Sequence, residues 1–200
     1  MLKQLKRLLM VALVSAPFGA AALPIVSVTS GPLTDLGPNP EATTVSGAVY
    51  ENVAGSVSGL RRSPYDTSAA LRDTALYTSV SGSATAEYEF GSSRSLLSLL
   101  WGSPDQYNVL EFFLGDVLQG TVGGAQVASQ TGVPAGRGYG FVTVTGLKFD
   151  SVKFSNNPRS NAFEFAGLSA VPLPGAVWLF GSFLLGLAGY NSRKRRVRRA

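Results

Sequence analysis

With no cysteine and no histidine among its 200 residues, the chain cannot form disulfides, thiolate or imidazole metal sites, cysteine nucleophiles or a Ser-His-Asp arrangement. The 17 Lys and Arg against 12 Asp and Glu give a formal net charge of +5, but the positive charges concentrate at the two ends. Residues 23–170 contain eight Lys or Arg and twelve Asp or Glu, a net charge of −4, which removes the electrostatic basis for nucleic-acid binding.

The first 22 residues have the three parts of a secretory signal peptide. Three basic residues lie among the first seven, residues 8–18 are apolar, and residues 20–22 are alanines that suit a cleavage site. We predict cleavage after position 22, with a retained membrane anchor as the alternative. An exported domain would then begin at Leu23 and extend to Ala170.

Short β-type segments, separated by glycine- and proline-rich connections, dominate this domain. In residues 85–90, apolar Ala86, Tyr88 and Phe90 alternate with polar neighbours, which predicts one buried and one solvent-facing side. The predicted strands cover residues 25–28, 43–50, 53–57, 75–80, 85–90, 95–101, 108–114, 117–121, 125–129, 140–145, 149–155 and 161–168. The predicted fold class is therefore mainly β, an antiparallel β-sandwich or jelly-roll-like ectodomain.

The densest local pattern is LLWGSPDQYNVLEFF, in which Ser-Pro-Asp-Gln predicts a turn between two strands. One interpretation is a ligand site, in which Trp101 and Tyr107 would stack on sugar faces. Asp105 and Asn108 would then hold sugar hydroxyls. The interpretation that we favour is a hairpin with a buried aromatic residue, because such residues are common in sheets.

Acidic residues support two further hypotheses. A polysaccharide-cleaving enzyme would need two carboxyl groups at a set separation. The available glutamates are Glu87, Glu89, Glu111 and Glu164. A structural calcium ion would need oxygen ligands, for which Asp105, Asn108, Asp116 and Asp150 are available. Solvent-facing glutamates on alternating strands are the simpler interpretation, and we predict neither a metal site nor a cofactor.

The last thirty residues carry no acidic residue and divide into three parts. The segment 171–174, VPLP, delimits a helix, because proline suits a first helical turn. An uncharged run follows, so we predict a transmembrane helix over 174–190, short for a hydrocarbon core of about 30 Å. A basic flank would hold the C-terminus in the cytoplasm. It consists of Arg193, Lys194, Arg195, Arg196, Arg198 and Arg199.

This tail resembles the PEP-CTERM sorting signals of bacterial exported proteins, in the variant whose signature is VPLPA. The matching residues are Val171, Pro172, Leu173 and Pro174, whereas Gly175 replaces the usual alanine. VWLFGS and LLGL match the family's helix. The resemblance implies a Gram-negative precursor tethered in the inner membrane, which the membrane protease exosortase cuts near VPLP and releases. An ordinary C-terminal membrane anchor is the alternative.

Two inner segments also resemble PEP-CTERM ectodomains. They are WGSPDQYN and NAFEF, although Ala166 and Gly167 follow the second where Asp and Asn are common. No activity is implied by these segments. We therefore expect a non-enzymatic protein of the cell surface or extracellular matrix, with exopolysaccharide as the partner that the resemblance suggests. A carbohydrate-binding β-sandwich module is the alternative, and a carboxylate-dependent polysaccharide-cleaving enzyme is the third hypothesis.

Overall fold

The computed structural model describes residues 23–131, 138–156 and 160–172. Within these ranges the chain forms eleven strands and one helix. The strands are β1 (Ile25–Thr29), β2 (Thr44–Ser46), β3 (Val49–Val53), β4 (Tyr77–Val80), β5 (Thr85–Arg94), β6 (Leu96–Gly102), β7 (Asn108–Leu114), β8 (Val117–Gly123), β9 (Tyr139–Thr145), β10 (Phe149–Asn156) and β11 (Phe163–Val171). The helix α1 spans Gly124–Thr131.

Two sheets contain all of these strands. Sheet A has six strands in the order β1-β9-β6-β11-β4-β3, and sheet B has five in the order β2-β5-β10-β7-β8. Neighbouring strands run antiparallel in both sheets. The predicted mainly β, antiparallel character of the domain is therefore confirmed.

The main core lies between the two sheets and is rich in aromatic rings. Phe154 of sheet B stacks on Phe165 of sheet A, with ring centroids 4.0 Å apart. Tyr88 meets both rings edge-on, at 5.6 and 5.9 Å. The neighbours of Tyr88 on β5, Glu87 and Glu89, lie on the opposite face, as the alternation predicts. Burial of apolar area in this layer, worth about 25 cal/mol per Å², is the main stabilising term.

Residues 43–50, predicted as one strand, form two strands in different sheets. The first, β2, belongs to sheet B, whereas β3 belongs to sheet A. The chain changes direction at Gly47, whose φ of 76° lies in the left-handed region. A Cβ at Gly47 would also lie 3.0 Å from the Cα of Ala84, so a larger residue would strain this crossing.

The strand predicted at residues 125–129 is wrong, because these residues lie in α1. The buried positions are Gly124, Val127 and Ala128, which form the i, i+3, i+4 face of a helix rather than alternating. A Cβ at Gly124 would overlap the carbonyl oxygen of Asp105. The helix therefore begins with glycine because its first residue packs against the backbone of Asp105.

A long connection between β3 and β4, residues 54–76, covers part of the outer face of sheet A. It contributes to a second buried cluster on that face. The cluster consists of Tyr65, Ala75, Tyr77, Leu100 and Ala166. This added layer buries a strand face that alternation alone would leave exposed to solvent.

Sheet A has two ends that differ chemically. At the exit end, Val171 of β11 pairs with Leu96 of β6. At the pocket end, Glu164 of β11 pairs with Gly102 of β6. The seven residues of β6 separate these ends by about 20 Å, at roughly 3.3 Å per residue.

Several predictions from the termini lie outside the described residues. They are the signal peptide at 1–22, the motif residues Leu173 and Pro174, the transmembrane helix at 174–190, and the basic flank of Arg193, Lys194, Arg195, Arg196, Arg198 and Arg199. In the ranges that the structure describes, no helix combines the length and the apolar character needed to cross a membrane.

Candidate functional site

Trp101, one of the four predicted ligand-binding residues, is fully buried between the sheets. Its ring stacks on Phe163 with centroids 4.3 Å apart and 20° between the planes. The indole Nε1 lies 3.4 Å from Oδ1 of Asn108. Because the ring is enclosed, Trp101 offers no stacking surface to a sugar in this structure.

Asn108 is also fully buried, and its side chain connects three segments at the pocket end. Its Oδ1 accepts a hydrogen bond from the backbone N–H of Asp105 at 2.8 Å. Its Nδ2 donates to Oδ1 of Asn156 at 2.7 Å and to the carbonyl of Ala162 at 3.1 Å. Asn108 is therefore a structural hub whose polar atoms are directed to protein partners.

Asp105 and Tyr107, the other two predicted residues, are partly buried at the surface of the pocket end. The backbone N–H of Asn108 donates to the carbonyl of Asp105 at 3.0 Å, so the hydrogen-bonded turn covers residues 105–108. The hydroxyl of Tyr107 donates to the carbonyl of Asn161 at 2.8 Å. The structure therefore separates the predicted set into a buried pair and a surface pair.

The surface pair lines a polar pocket with a volume of about 440 Å³. Its walls come from the loop 56–66, the turn after β6 and residues 161–164. Further polar side chains in its lining are Ser56, Ser58, Arg61, Arg62, Asp66, Ser103, Asn161 and Glu164. Small-molecule sites commonly have volumes of about 300–1,000 Å³, so the pocket is large enough for a ligand.

Glu164 is the buried carboxyl group of this pocket, with 2% of the residue exposed. Its Oε1 accepts a hydrogen bond from the backbone N–H of Arg62 at 2.8 Å. Burial raises the pKa of Glu164 to about 8; the Arg62 hydrogen bond opposes this shift, and the charge of Asp105 adds to it. At neutral pH the carboxyl of Glu164 is therefore mostly protonated.

Two other titratable groups of the pocket are also perturbed. Burial raises the pKa of Asp105, although the nearby hydroxyl of Tyr107 lowers it in part. Burial is also the main cause that raises the pKa of Tyr107, and the carboxylate of Asp105 adds to it. Groups with shifted pKa values that share one cavity are typical of functional sites.

The loop 56–66 brings two arginines to the pocket. Nε of Arg62 donates to Oδ2 of Asp66 at 3.0 Å, and the hydroxyl of Ser56 donates to Oδ1 of the same carboxylate at 3.1 Å. The guanidinium of Arg61 lies 5.1 Å from the ring centroid of Tyr50. Nε of Arg61 is buried and has no hydrogen-bond partner in the described part of the chain. The loop thus supplies both an ion pair and an unsatisfied donor.

The remaining predicted glutamates lie on the outer face of sheet B. Glu111 forms an ion pair with Lys153 at 2.9 Å. Glu87 lies opposite the same lysine in the register of the other neighbouring strand, β5. The hydroxyl of Ser151 donates to Oε1 of Glu87 at 3.0 Å. Glu89 is exposed on the same face. These three carboxyl groups do not share the pocket of Glu164, as their solvent-facing interpretation predicts.

The possible calcium ligands are divided between the two ends of β7. Asp105 and Asn108 lie where β7 begins, whereas Asp116 and Asp150 lie beyond its last residue. Both carboxylate oxygens of Asp150 accept the backbone N–H of Gly115, at 2.9 and 3.0 Å. Among the described residues, no three Asp, Glu, His or Cys side chains form a metal-binding group. The four proposed ligands therefore do not meet at one site.

The described part of the predicted sorting motif, Val171 and Pro172, lies at the exit end. The carbonyl of Val171 accepts the backbone N–H of Ser95 at 3.1 Å, and the residue ends β11. Both motif residues line a groove of about 470 Å³. Its other lining residues are Ser95, Leu96, Thr145, Gly146, Leu147 and Lys148.

No protein-family model, curated protein or solved structure matches this chain. Sequence reasoning named Glu164 only as one of four glutamates, and it did not assign a role to Arg61, Arg62 or Asp66. The adjacent charges of RRSPYD are the local signal that marks this loop, but they do not identify the strand that it covers.

Proposed function

We propose that the chain is the precursor of an exported, non-enzymatic protein of the cell surface or extracellular matrix. The precursor is tethered in the inner membrane by the helix at 174–190, and exosortase cuts it near VPLP. The observation that carries this proposal is the order of the sequence: a basic, apolar and alanine-ended segment typical of signal peptides, an acidic β domain, VPLP, an apolar run and a basic flank.

The geometry of the described domain supports this organisation. The last strand ends at Val171, the first residue of the motif, so the other motif residues follow the sheet directly. Leu23, which would follow signal cleavage, also lies at the exit end, because Ile25 pairs with Thr145 there. A domain tethered through Pro172 would therefore carry its polar pocket at the end farther from the membrane. Within this proposal the domain is a jelly-roll-like sandwich.

Intact mass of the protein recovered from membranes and from culture supernatant tests this proposal. We expect a membrane species that begins at Leu23 and retains Ala200, and a released species that begins at Leu23 and ends near VPLP. Replacing both Pro172 and Pro174 by alanine should abolish the released species, because the motif is changed while the helix remains.

The matched control for this experiment is Glu89→Gln, an exposed substitution on the outer face of sheet B that leaves the motif unchanged. This variant should be exported and released like the unchanged chain. A chain found only in the cytoplasm with its first 22 residues intact would contradict export. A membrane species that retains Arg199 in every fraction would instead indicate a permanent anchor.

A carbohydrate-binding module is a second candidate function, and the polar pocket at Asp105, Tyr107 and Glu164 favours it. Its lining of hydroxyl, carboxyl and guanidinium groups matches the hydroxyl groups of a sugar. This candidate no longer relies on Trp101 and Asn108, which are buried. A hydroxyl of a neutral sugar would donate a hydrogen bond to Asp105. The protonated carboxyl of Glu164 would donate a hydrogen bond to a sugar oxygen.

Isothermal titration of the released domain with neutral oligosaccharides tests this second candidate. If these groups contact the sugar, Asp105→Asn and Glu164→Gln should each weaken binding at least tenfold. A tenfold change in Kd corresponds to about 1.4 kcal/mol of binding free energy. Glu89→Gln should leave binding unchanged. No heat of binding with any oligosaccharide would count against the module. Release of new reducing ends would instead support the third hypothesis, with Glu164 as the first carboxyl to examine.

A further inference from the structure

Exposed apolar side chains concentrate at the exit end. Nine large hydrophobic residues are exposed in the described part of the chain, and six of them lie at this end. They are Leu23, Ile25, Leu114, Val117, Leu118 and Val171. β7 begins at the pocket end, where Asn108 contacts Trp101, and runs to Leu114. Leu114 and the first residues of β8, Val117 and Leu118, therefore lie at the exit end.

The most exposed of these residues lie on two edge strands. Ile25, the first residue of β1 at the edge of sheet A, is 64% exposed, and Leu23, two residues before this strand, is 82% exposed. Val117 is 63% exposed and Leu118 is 50% exposed on β8, the edge of sheet B. We call Leu23, Ile25, Val117, Leu118 and Val171 the exit-end patch. Contiguous exposed apolar surface is typical of contact with a partner or a membrane.

The predicted tether restricts where this patch can lie. Only Leu173 separates Pro172 from the predicted helix start at Pro174, and two residue steps span at most about 7 Å. While the chain is anchored, Pro172 therefore remains within that distance of the membrane interface, and the exit end is the part of the domain nearest to it. A longer polar linker would have allowed the domain to rotate freely.

From these observations we infer that the exit end docks on the outer surface of the membrane that the C-terminal helix spans. The exit-end patch enters the headgroup region, where apolar side chains gain burial. Lys148, which lines the apolar groove beside Val171 and Pro172, is placed to pair with lipid phosphate. This inference rests on the proposed tether and adds an orientation and a lipid contact to it.

The acidic groups at the exit end determine which face of the domain can approach the membrane. Glu89, Asp116 and Asp150 line a separate polar depression on the outer face of sheet B. Anionic lipid would repel these carboxylates, and Asp150 is already bonded to the backbone of Gly115. The contact therefore uses the corner formed by β1, the β9–β10 turn and the start of β8, with the outer face of sheet B turned away.

Single cysteines test the docking without interference, because the natural chain has none. We would reconstitute the full chain in vesicles of phosphatidylethanolamine and phosphatidylglycerol, with a nitrobenzoxadiazole label at Ile25→Cys or Val117→Cys. Ser58→Cys, on the exposed loop at the pocket end, is the matched control. Spin-labelled lipid should quench the two exit-end labels several-fold more strongly than the control label.

A variant with a flexible linker distinguishes docking from the proximity that a short tether alone would impose. Twenty Gly and Ser residues inserted between Pro172 and Leu173 extend the tether to about 25 Å on average. Quenching at Ile25→Cys should persist in this variant, and Lys148→Glu should reduce it. Loss of quenching with the linker, or equal quenching of all three labels, overturns the docking. A chain that does not sediment with vesicles overturns the proposed tether itself.

Discussion

The exit end and the pocket end of sheet A differ because the chain beyond each strand differs. At the pocket end, the long loop 54–76 folds over the sheet and encloses Glu164. At the exit end, short turns join β5 to β6 and β9 to β10, and apolar residues of the same sheet such as Ile25 and Val171 are exposed. The comparison teaches that one sheet can bury a carboxyl group and expose hydrophobic side chains, depending on which connections cover it.

The largest effect expected on the pocket end follows from removing its main aromatic support. Trp101→Ala should lower the free energy of unfolding by about 3–5 kcal/mol, because it leaves a cavity against Phe163. Chemical denaturation of the domain measures this loss. Val117→Ala at the exit end is the control and should change stability by less than about 0.5 kcal/mol. Equal losses would contradict the contrast between the two ends.

Asn108 supplies the second-largest expected effect. Asn108→Ala should cost about 2–4 kcal/mol, because the backbone N–H of Asp105 and the carbonyl of Ala162 lose their partner. Gln119→Ala is a matched amide control, since the side chain of Gln119 is partly exposed to solvent and donates to the carbonyl of Val117, two residues away. If Asn108→Ala retains full stability, the pocket end does not depend on this hub.

Glu164 makes stability depend on pH. Its pKa is raised to about 8 in the folded chain from an ordinary value of 4.5, so the folded state holds more protons between these values. Stability should therefore fall as pH rises from about 4.5 to 8, by roughly 1–4 kcal/mol. Glu164→Gln should flatten this dependence, whereas Glu89→Gln should not. Thermal unfolding measured across this pH range distinguishes the two variants.

Much of the fold was predictable because strands alternate over short distances. Glu87 and Glu89 were placed on the outer face by the apolar residue between them, Tyr88. The same reasoning failed at residues 125–129, where Val127 and Ala128 share a helical face. A segment of small residues fits both periods, and the close approach of the preceding Gly124 to the backbone of Asp105 is a contact that local alternation does not reveal.

The candidate site was predictable only in part. Asp105 and Tyr107 belong to a turn motif that local sequence reveals. The burial of Glu164 depends on Arg62, which lies 102 positions earlier in the chain, and no local pattern encodes such a contact. Trp101 shows the same limit, because sequence does not tell a ring that stacks on Phe163 from one that faces solvent.

The smallest effect is expected at the exit end, and it sharpens the comparison most directly. Ile25→Thr keeps a β-branched side chain on the edge strand and replaces the ethyl branch by a hydroxyl; because Ile25 is 64% exposed, stability should change by less than about 0.5 kcal/mol. Denaturation of the released domain measures this change. A loss above about 1.5 kcal/mol would place Ile25 in the core, and the exit-end patch would not be a free surface. A negligible loss means that folding does not require an apolar residue here, which is the result that docking through the exit-end patch requires.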